Sequence, residues 1–172
     1  MVDSDDAENS PEVWGPLDPF LGISETSTSP CYGATDGYCD TGIILTSFLT
    51  SPSAAELCAN KNASSTFPGA LFSPNWWYLP SICELGSGLY ANAGGSTILS
   101  CNTAVPTGIS SLDGLGYLAN LSTQGYWSST EVSQSVAPSA WIQFFKLGRG
   151  GNPYFAQKNT QPSVRCVKGL TY

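Results

Sequence analysis

The chain contains no histidine. That absence removes Ser-His-Asp and Cys-His nucleophile activation, His-ligated zinc, and imidazole proton transfer near neutral pH. Charge is scarce as well: Asp, Glu, Lys and Arg together make up 11% of the residues, with 6 bases against 13 acids. Six cysteines are present without one Cys-x-x-Cys pair, so they read as three disulfides rather than a metal centre, and disulfides imply an oxidising compartment. No apolar run approaches the ~20 residues needed to span a bilayer. The first residues, Met1-Val2-Asp3-Ser4-Asp5-Asp6, have neither a basic nor an apolar region, so they are no signal peptide and read as a trimmed chain end, with any anchor outside this chain.

What is present suits a loop-rich extracellular α+β domain: 18 Gly, 12 Pro and 12% aromatics in 172 residues, one domain's worth of chain. Residues 1–12 carry Asp3, Asp5, Asp6, Glu8 and Glu12 and no base, and read as a disordered acidic tail or linker. Without those five acids, residues 13–172 have a net charge of −2. Residues 13–30 open with Trp14, Leu17, Phe20 and Leu21 broken by Pro16 and Pro19, an apolar stretch too proline-rich for a helix, which must cover the core edge or a neighbouring subunit. Residues 31–172 form the domain proper.

Within that domain, Cys31 to Cys39 encloses a turn-rich loop, and Gly42–Leu49 reads as a buried strand. Ser51–Lys61, with a Ser cap, Pro in the first turn and an Ala-rich continuation, predicts a short helix. Trp76–Leu79 is β-prone, and Ser81 with Glu84 forms a capping box that starts a second helix bearing Ile82, Leu85 and Leu89. Residues 86–124 are Gly-, Ser-, Asn- and Thr-rich and read as a long loop region. Strands are expected at Tyr126–Glu131, Ala140–Lys146 and Ser163–Lys168, with Gly148–Pro153 breaking the chain between the last two.

Two strings carry a resemblance: Trp77-Tyr78-Leu79-Pro80-Ser81-Ile82-Cys83-Glu84-Leu85, and Gly125-Tyr126-Trp127-Ser128-Ser129-Thr130-Glu131 followed by Ala140-Trp141 and Val164-Arg165-Cys166-Val167. Across about residues 31 to 170 they resemble the signature of the Lcl C-terminal domain family of bacterial secreted and surface proteins, which includes collagen-like adhesins. The resemblance implies a C-type-lectin-like fold: two helices, a twisted antiparallel sheet and a long loop region, stapled by disulfides. It further implies a homotrimer beneath a collagen stalk and binding of sulfated glycosaminoglycans, although this chain has no Gly-x-y tract. A disulfide from the first helix to the last strand, Cys58 to Cys166, is implied by that fold, and proximity then assigns Cys31–Cys39 and Cys83–Cys101 among the connectivities that six cysteines allow.

The most informative feature of the residues themselves is charge asymmetry. No acid follows Glu131, yet five of the six bases do: Lys146, Arg149, Lys158, Arg165 and Lys168. Residues 132–172 carry +5 and residues 1–131 carry −12, an arrangement suited to a polyanion, with cations pairing sulfate or carboxylate and aromatic faces stacking on sugar rings. Ordinary solubilising charge is the competing reading. Arg165, in a strand beside Cys166, is expected to be buried and paired with Glu131 or Glu84. Lys146, Arg149 and Lys158 fall at a strand end, a Gly-rich turn and a polar loop, so they are the expected ligand contacts, with Lys168 and Tyr154 as secondary ones. Three copies in a trimer would add avidity.

Trp77 and Trp127 read as core rather than as sugar-stacking rings. Trp141 alternates with Gln143 and Phe145, so one face of its strand could be exposed or at a subunit contact. The Glu-Pro-Asn or Gln-Pro-Asp and Trp-Asn-Asp motifs of calcium-dependent lectins are missing, with Gln161-Pro162-Ser163 the nearest approach. Asp36 and Asp40 could share an ion, but a plain turn is the simpler reading. The expectation is thus a calcium-independent adhesin domain, secreted or at a bacterial cell surface, with no cofactor, no metal, no nucleic-acid partner and no membrane insertion. One alternative is a module of the same fold that binds a protein ligand, as a receptor-binding or diversified variable protein. An enzyme is the other, because a related fold houses cysteine-using sulfatase-activating oxidases; six bonded cysteines argue against it.

Overall fold

A computed structural model describes residues 12–17, 20–48, 52–62, 76–86, 89–91, 97–101, 124–133, 138–145 and 153–168. The chain is α+β, with antiparallel sheets and three disulfides. Helix α1 spans Gly37–Ser47, α2 Ala54–Asn60 and α3 Ile82–Leu85. The strands are β1 (Trp77–Tyr78), β2 (Leu89–Ala91), β3 (Thr97–Ser100), β4 (Tyr126–Glu131), β5 (Ser139–Gln143), β6 (Pro153–Gln157) and β7 (Val167–Lys168). They pair as β1–β7, as β2–β3, and as a three-stranded sheet in the order β4-β5-β6.

The apolar run expected as a strand at 42–49 is instead the body of α1. Short buried apolar segments have the same composition in either state, and here two acids decide. Asp36 caps the helix by accepting the Cys39 N–H at 3.0 Å, and Glu84 accepts the Gly37 N–H at 3.1 Å. A Cβ at Gly37 would collide with the Ser81 backbone and the Glu84 carboxylate, so glycine lets the first turn of α1 lie directly on the start of α3. The inner face then buries Asp40, Thr41 and Ile44, and Thr41 Oγ1 exchanges hydrogen bonds with the Leu79 backbone. In α2 the cap is Ser53, whose Oγ accepts the Glu56 N–H, so Pro52 precedes the cap rather than sitting in the first turn.

Glu84 reaches back to the Ser81 N–H at 2.7 Å as its spacing predicted, but α3 stops at Gly86 and Leu89 opens β2 instead of extending the helix. The expected loop at 86–124 thus holds the β2–β3 hairpin. Within the predicted strand 163–168, only Val167–Lys168 joins a sheet, while Ser163 makes an isolated bridge to Tyr126. The strand expected at 140–146 ends at Gln143, and the unanticipated β6 pairs with β5 through Tyr154↔Ile142 and Phe155↔Trp141.

The largest core cluster gathers Trp14, Ile23, Ile44, Leu79, Trp127, Ile142 and Val164 around Cys58–Cys166. Ile82, Val132 and Trp141 pack around Cys83–Cys101, and Leu85, Tyr126, Phe145 and Val167 form a third cluster. All three expected disulfides are present, and Cys31–Cys39 closes the third loop. Trp14 and Ile23 place the N-terminal segment in the core of the same subunit, while Leu17 and Phe20 are exposed at 40% and 58%. The expected acidic tail, apart from Glu12, lies outside the described residues. Trp141, Gln143 and Phe145 are buried, so neither face of β5 is the open one that alternation suggested. β6 covers it.

Candidate functional site

Several of the described charged side chains go inward. Glu131, at the end of β4, is completely buried, and its carboxylate accepts the Leu21 N–H at 3.0 Å and the Ile23 N–H at 3.3 Å. Its ion-pair partner is Lys158, which is also completely buried. The Lys158 Nζ lies 4.4 Å from the centroid of the Trp14 ring, a cation–π contact sealed from water. The Lys158 carbonyl accepts the Trp14 N–H at 2.9 Å, and Trp14 Nε1 donates to the Ser128 carbonyl at 2.7 Å. Lys158 was expected in an accessible ligand patch; the structure overturns that placement. The turn that follows β6 folds back under the sheet, and a buried acid at Glu131 requires a cation within reach.

Arg165 is buried as expected, and its guanidinium sits over the Tyr126 ring at 5.7 Å. Glu25 fixes the other side of the N-terminal segment, accepting Trp141 Nε1–H at 3.1 Å and the Ser133 N–H at 3.0 Å. Asp36 and Asp40 do not face one another as ion ligands. Asp36 caps α1, and Asp40 turns into the core to accept the Ser129 hydroxyl at 2.9 Å. Burial, with Asp36, Glu84 and Glu131 nearby, pushes the Asp40 carboxyl up to about 9, so it is protonated at neutral pH. Burial likewise raises Glu84, against the hydrogen bonds donated by Ser81, Tyr78 and Gly37, and burial beside Glu84 raises the Tyr78 phenol. The Ser129–Asp40 pair has no water exposure, so it cannot meet a substrate.

The open surface lies beside this core, because Ile142, Phe144 and Ala156, which line it, also pack against the Trp14–Trp127 cluster. Between the β5–β6 face, the 158–162 turn and Gln124–Gly125 runs an open groove of about 500 Å³. Ile142 and Phe144 floor it, Tyr154 and Phe155 flank it, and Thr160 and Gln161 stand at its rim. Backbone bonds fix this frame: Trp127 N–H to the Ser163 carbonyl at 2.9 Å, Ser163 N–H to the Gly125 carbonyl at 3.0 Å, and Lys158 N–H to the Pro138 carbonyl at 3.1 Å. Tyr154 and Phe155 are exposed at 56% and 38%, and their rings lie parallel within 5° at 5.3 Å. The edge of Trp141 supports the Phe155 ring at 6.2 Å.

Of the expected contacts, Tyr154 is thus on the groove, Lys168 is half-buried on β7 opposite Trp77, and Lys146 and Arg149 lie outside the described residues. Their sequence positions fall in the segment joining β5 to β6. Sequence reasoning missed Phe155, Ile142 and Gly125 as groove residues. The available signal was the uncharged run Pro153–Gln157 with adjacent aromatics, which a flanking glycine cluster disguised as a loop. No group of three His, Cys, Asp or Glu side chains able to hold a metal ion occurs among the described residues, and no cysteine is free. No described helix is long and apolar enough to cross a membrane. No protein-family model, curated protein or solved structure matches this chain.

Proposed function

We propose that this chain is an extracellular adhesin domain of C-type-lectin-like type, secreted or at a bacterial cell surface, that binds sulfated glycosaminoglycans or similar anionic polysaccharides without calcium. The observation that carries the reading is the exposed, parallel Tyr154–Phe155 pair beside a groove whose two strands are joined by the segment containing Lys146 and Arg149. Aromatic faces take the apolar side of a sugar ring, and nearby cations pair its sulfates. Three disulfides fit an oxidising compartment, and the motif resemblance supports the family assignment. With Lys158 withdrawn into the core, the ligand-facing cations are Lys146 and Arg149, with Lys168 secondary. A homotrimer would present the set three times and raise weak single-site binding by avidity.

Retention on immobilised heparin across a salt series tests this directly. Wild type is expected to be retained and to elute earlier as salt rises, and Lys146→Ala/Arg149→Ala to lose most retention while remaining folded. Absence of retention near physiological salt sinks the polysaccharide reading and moves the groove to a protein ligand.

A further inference from the structure

Glu131 ends β4 and Lys158 directly follows β6, so their contact joins the two outer strands of the β4-β5-β6 sheet. Both side chains are completely buried. Each end of the contact is also held by backbone. The Lys158 N–H donates to the Pro138 carbonyl at 3.1 Å, and the Lys158 carbonyl accepts the Trp14 N–H at 2.9 Å. On the acid, Oε2 accepts the Leu21 N–H at 3.0 Å and the Ile23 N–H at 3.3 Å, with the Leu21 donor shared by Oε1. The Trp14 ring, its centroid 4.4 Å from Lys158 Nζ, is pinned in turn by Nε1–H donation to the Ser128 carbonyl at 2.7 Å. An amine and a carboxyl are thus fixed against one another inside the core, and such positioning converts a bimolecular reaction into an effectively unimolecular one.

We propose that Lys158 Nζ and Glu131 Cδ condense in the folded protein to form an intramolecular amide, a covalent cross-link between β4 and the turn after β6. The proposal does not depend on any ligand of the groove. In water an ammonium and a carboxylate outlast their amide because hydration stabilises both charges; buried charges lose that hydration, and condensation removes the two together. The step balances within the pair. The ammonium passes one proton to Glu131 Oε1, which it already touches. The neutral Nζ then attacks Cδ, and the negative charge of the tetrahedral species gathers on Oε2, where the Leu21 and Ile23 N–H groups already point, an arrangement that stabilises a developing oxyanion. A second proton from nitrogen follows to Oε1, the Cδ–Oε1 bond breaks, and one water leaves. Nothing is oxidised or reduced, and no co-reactant is consumed. Oε2 remains as the amide carbonyl and keeps both backbone bonds, so the N-terminal segment stays anchored in the product. The competing state is an ordinary buried ion pair, which is heavier by one water.

The test is the intact mass of the full chain, purified folded and measured after denaturation, reduction and alkylation of its six cysteines. The wild type is expected to be lighter than its sequence by one water, and Lys158→Arg to have its full mass. Glu131→Gln should lose ammonia in place of water and reach the same final mass as the cross-linked wild type. Tryptic digestion locates the bond. A cross-linked Lys158 resists cleavage, so the peptide 62–146, which contains Glu131, should emerge joined to the peptide 150–165. Full wild-type mass with cleavage after Lys158 overturns the proposal, and so does a missing water without the joined peptides. The wild-type measurement decides the matter even where a variant fails to fold, and neither outcome alters the reading of the groove.

Discussion

The interior of the domain and the groove beside β5 and β6 divide the chemistry in an unusual way. In the interior, Glu131, Lys158, Glu25 and Asp40 lie buried; Glu131 holds the N-terminal segment by the Leu21 and Ile23 N–H groups, and Glu25 of that segment accepts the Trp141 indole N–H. In the groove Tyr154 and Phe155 are exposed, and none of the described lining residues carries an ionised side chain. In a chain where 11% of residues are charged, several of the few charges lie inside as struts. The general lesson is that a basic C-terminal segment is not the same thing as a basic surface. Of the five C-terminal cations, Lys158 and Arg165 are core residues.

The sharpest way to break the contrast is to cut the interior staple. Closing the loop of sequence separation 108 between Cys58 and Cys166 is worth about 4.8 kcal/mol on the chain-entropy model. Cys58→Ala/Cys166→Ala should lower denaturant stability by that order, while the fraction still folded binds ligand normally. Next, Lys158→Ala should cost about 3–5 kcal/mol by leaving Glu131 buried without a cation. The pair change Lys158→Met/Glu131→Leu should recover part of that loss in thermal melts. A recovery of none would show that the Leu21 and Ile23 backbone bonds to Glu131, rather than the ion pair, hold the segment.

A comparable effect, spread over pH, follows from Asp40. Its carboxyl keeps a proton in the folded state up to about pH 9, whereas the unfolded chain releases it near pH 4. Across that window the native state binds more protons, so stability falls as pH rises, by up to about 1.4 kcal/mol per pH unit. Urea midpoints measured between pH 5 and 8 should show that decline, and Asp40→Asn should flatten it. Smallest on stability is Tyr154→Ala, within about 0.5 kcal/mol of wild type because the ring is exposed. Its effect is expected in binding instead. A melt shifted as far as that of Lys158→Ala would erase the distinction between strut and surface.

Local signals in the chain were read well where a single turn or strand decides the outcome. The Ser81 start of α3, the β4 strand and the three disulfides follow from short spacings, or from one resemblance in the case of Cys58–Cys166, whereas the α2 cap falls at Ser53 rather than at the expected Ser51. The reading failed at Gly42–Leu49, where an apolar run fits strand and helix equally and caps supplied by Asp36 and distant Glu84 select the helix. It failed again at Pro153–Gln157, where glycine-rich flanks hid a strand that exists because β5 offers it a pairing edge.

By itself, then, the amino-acid sequence determined the α+β class, the bonded cysteines, the absence of imidazole chemistry and the segregation of acids from bases. These are properties of composition and short range. Only the tertiary structure decided that Lys158 meets Glu131, since the path of the turn after β6 brings the lysine back to the acid. It also decided that Tyr154, Gly125 and Ile142 share a groove. Residues so far apart along the chain become neighbours through sheet register and the backbone bonds from Ser163 to β4, which leave no trace in local sequence.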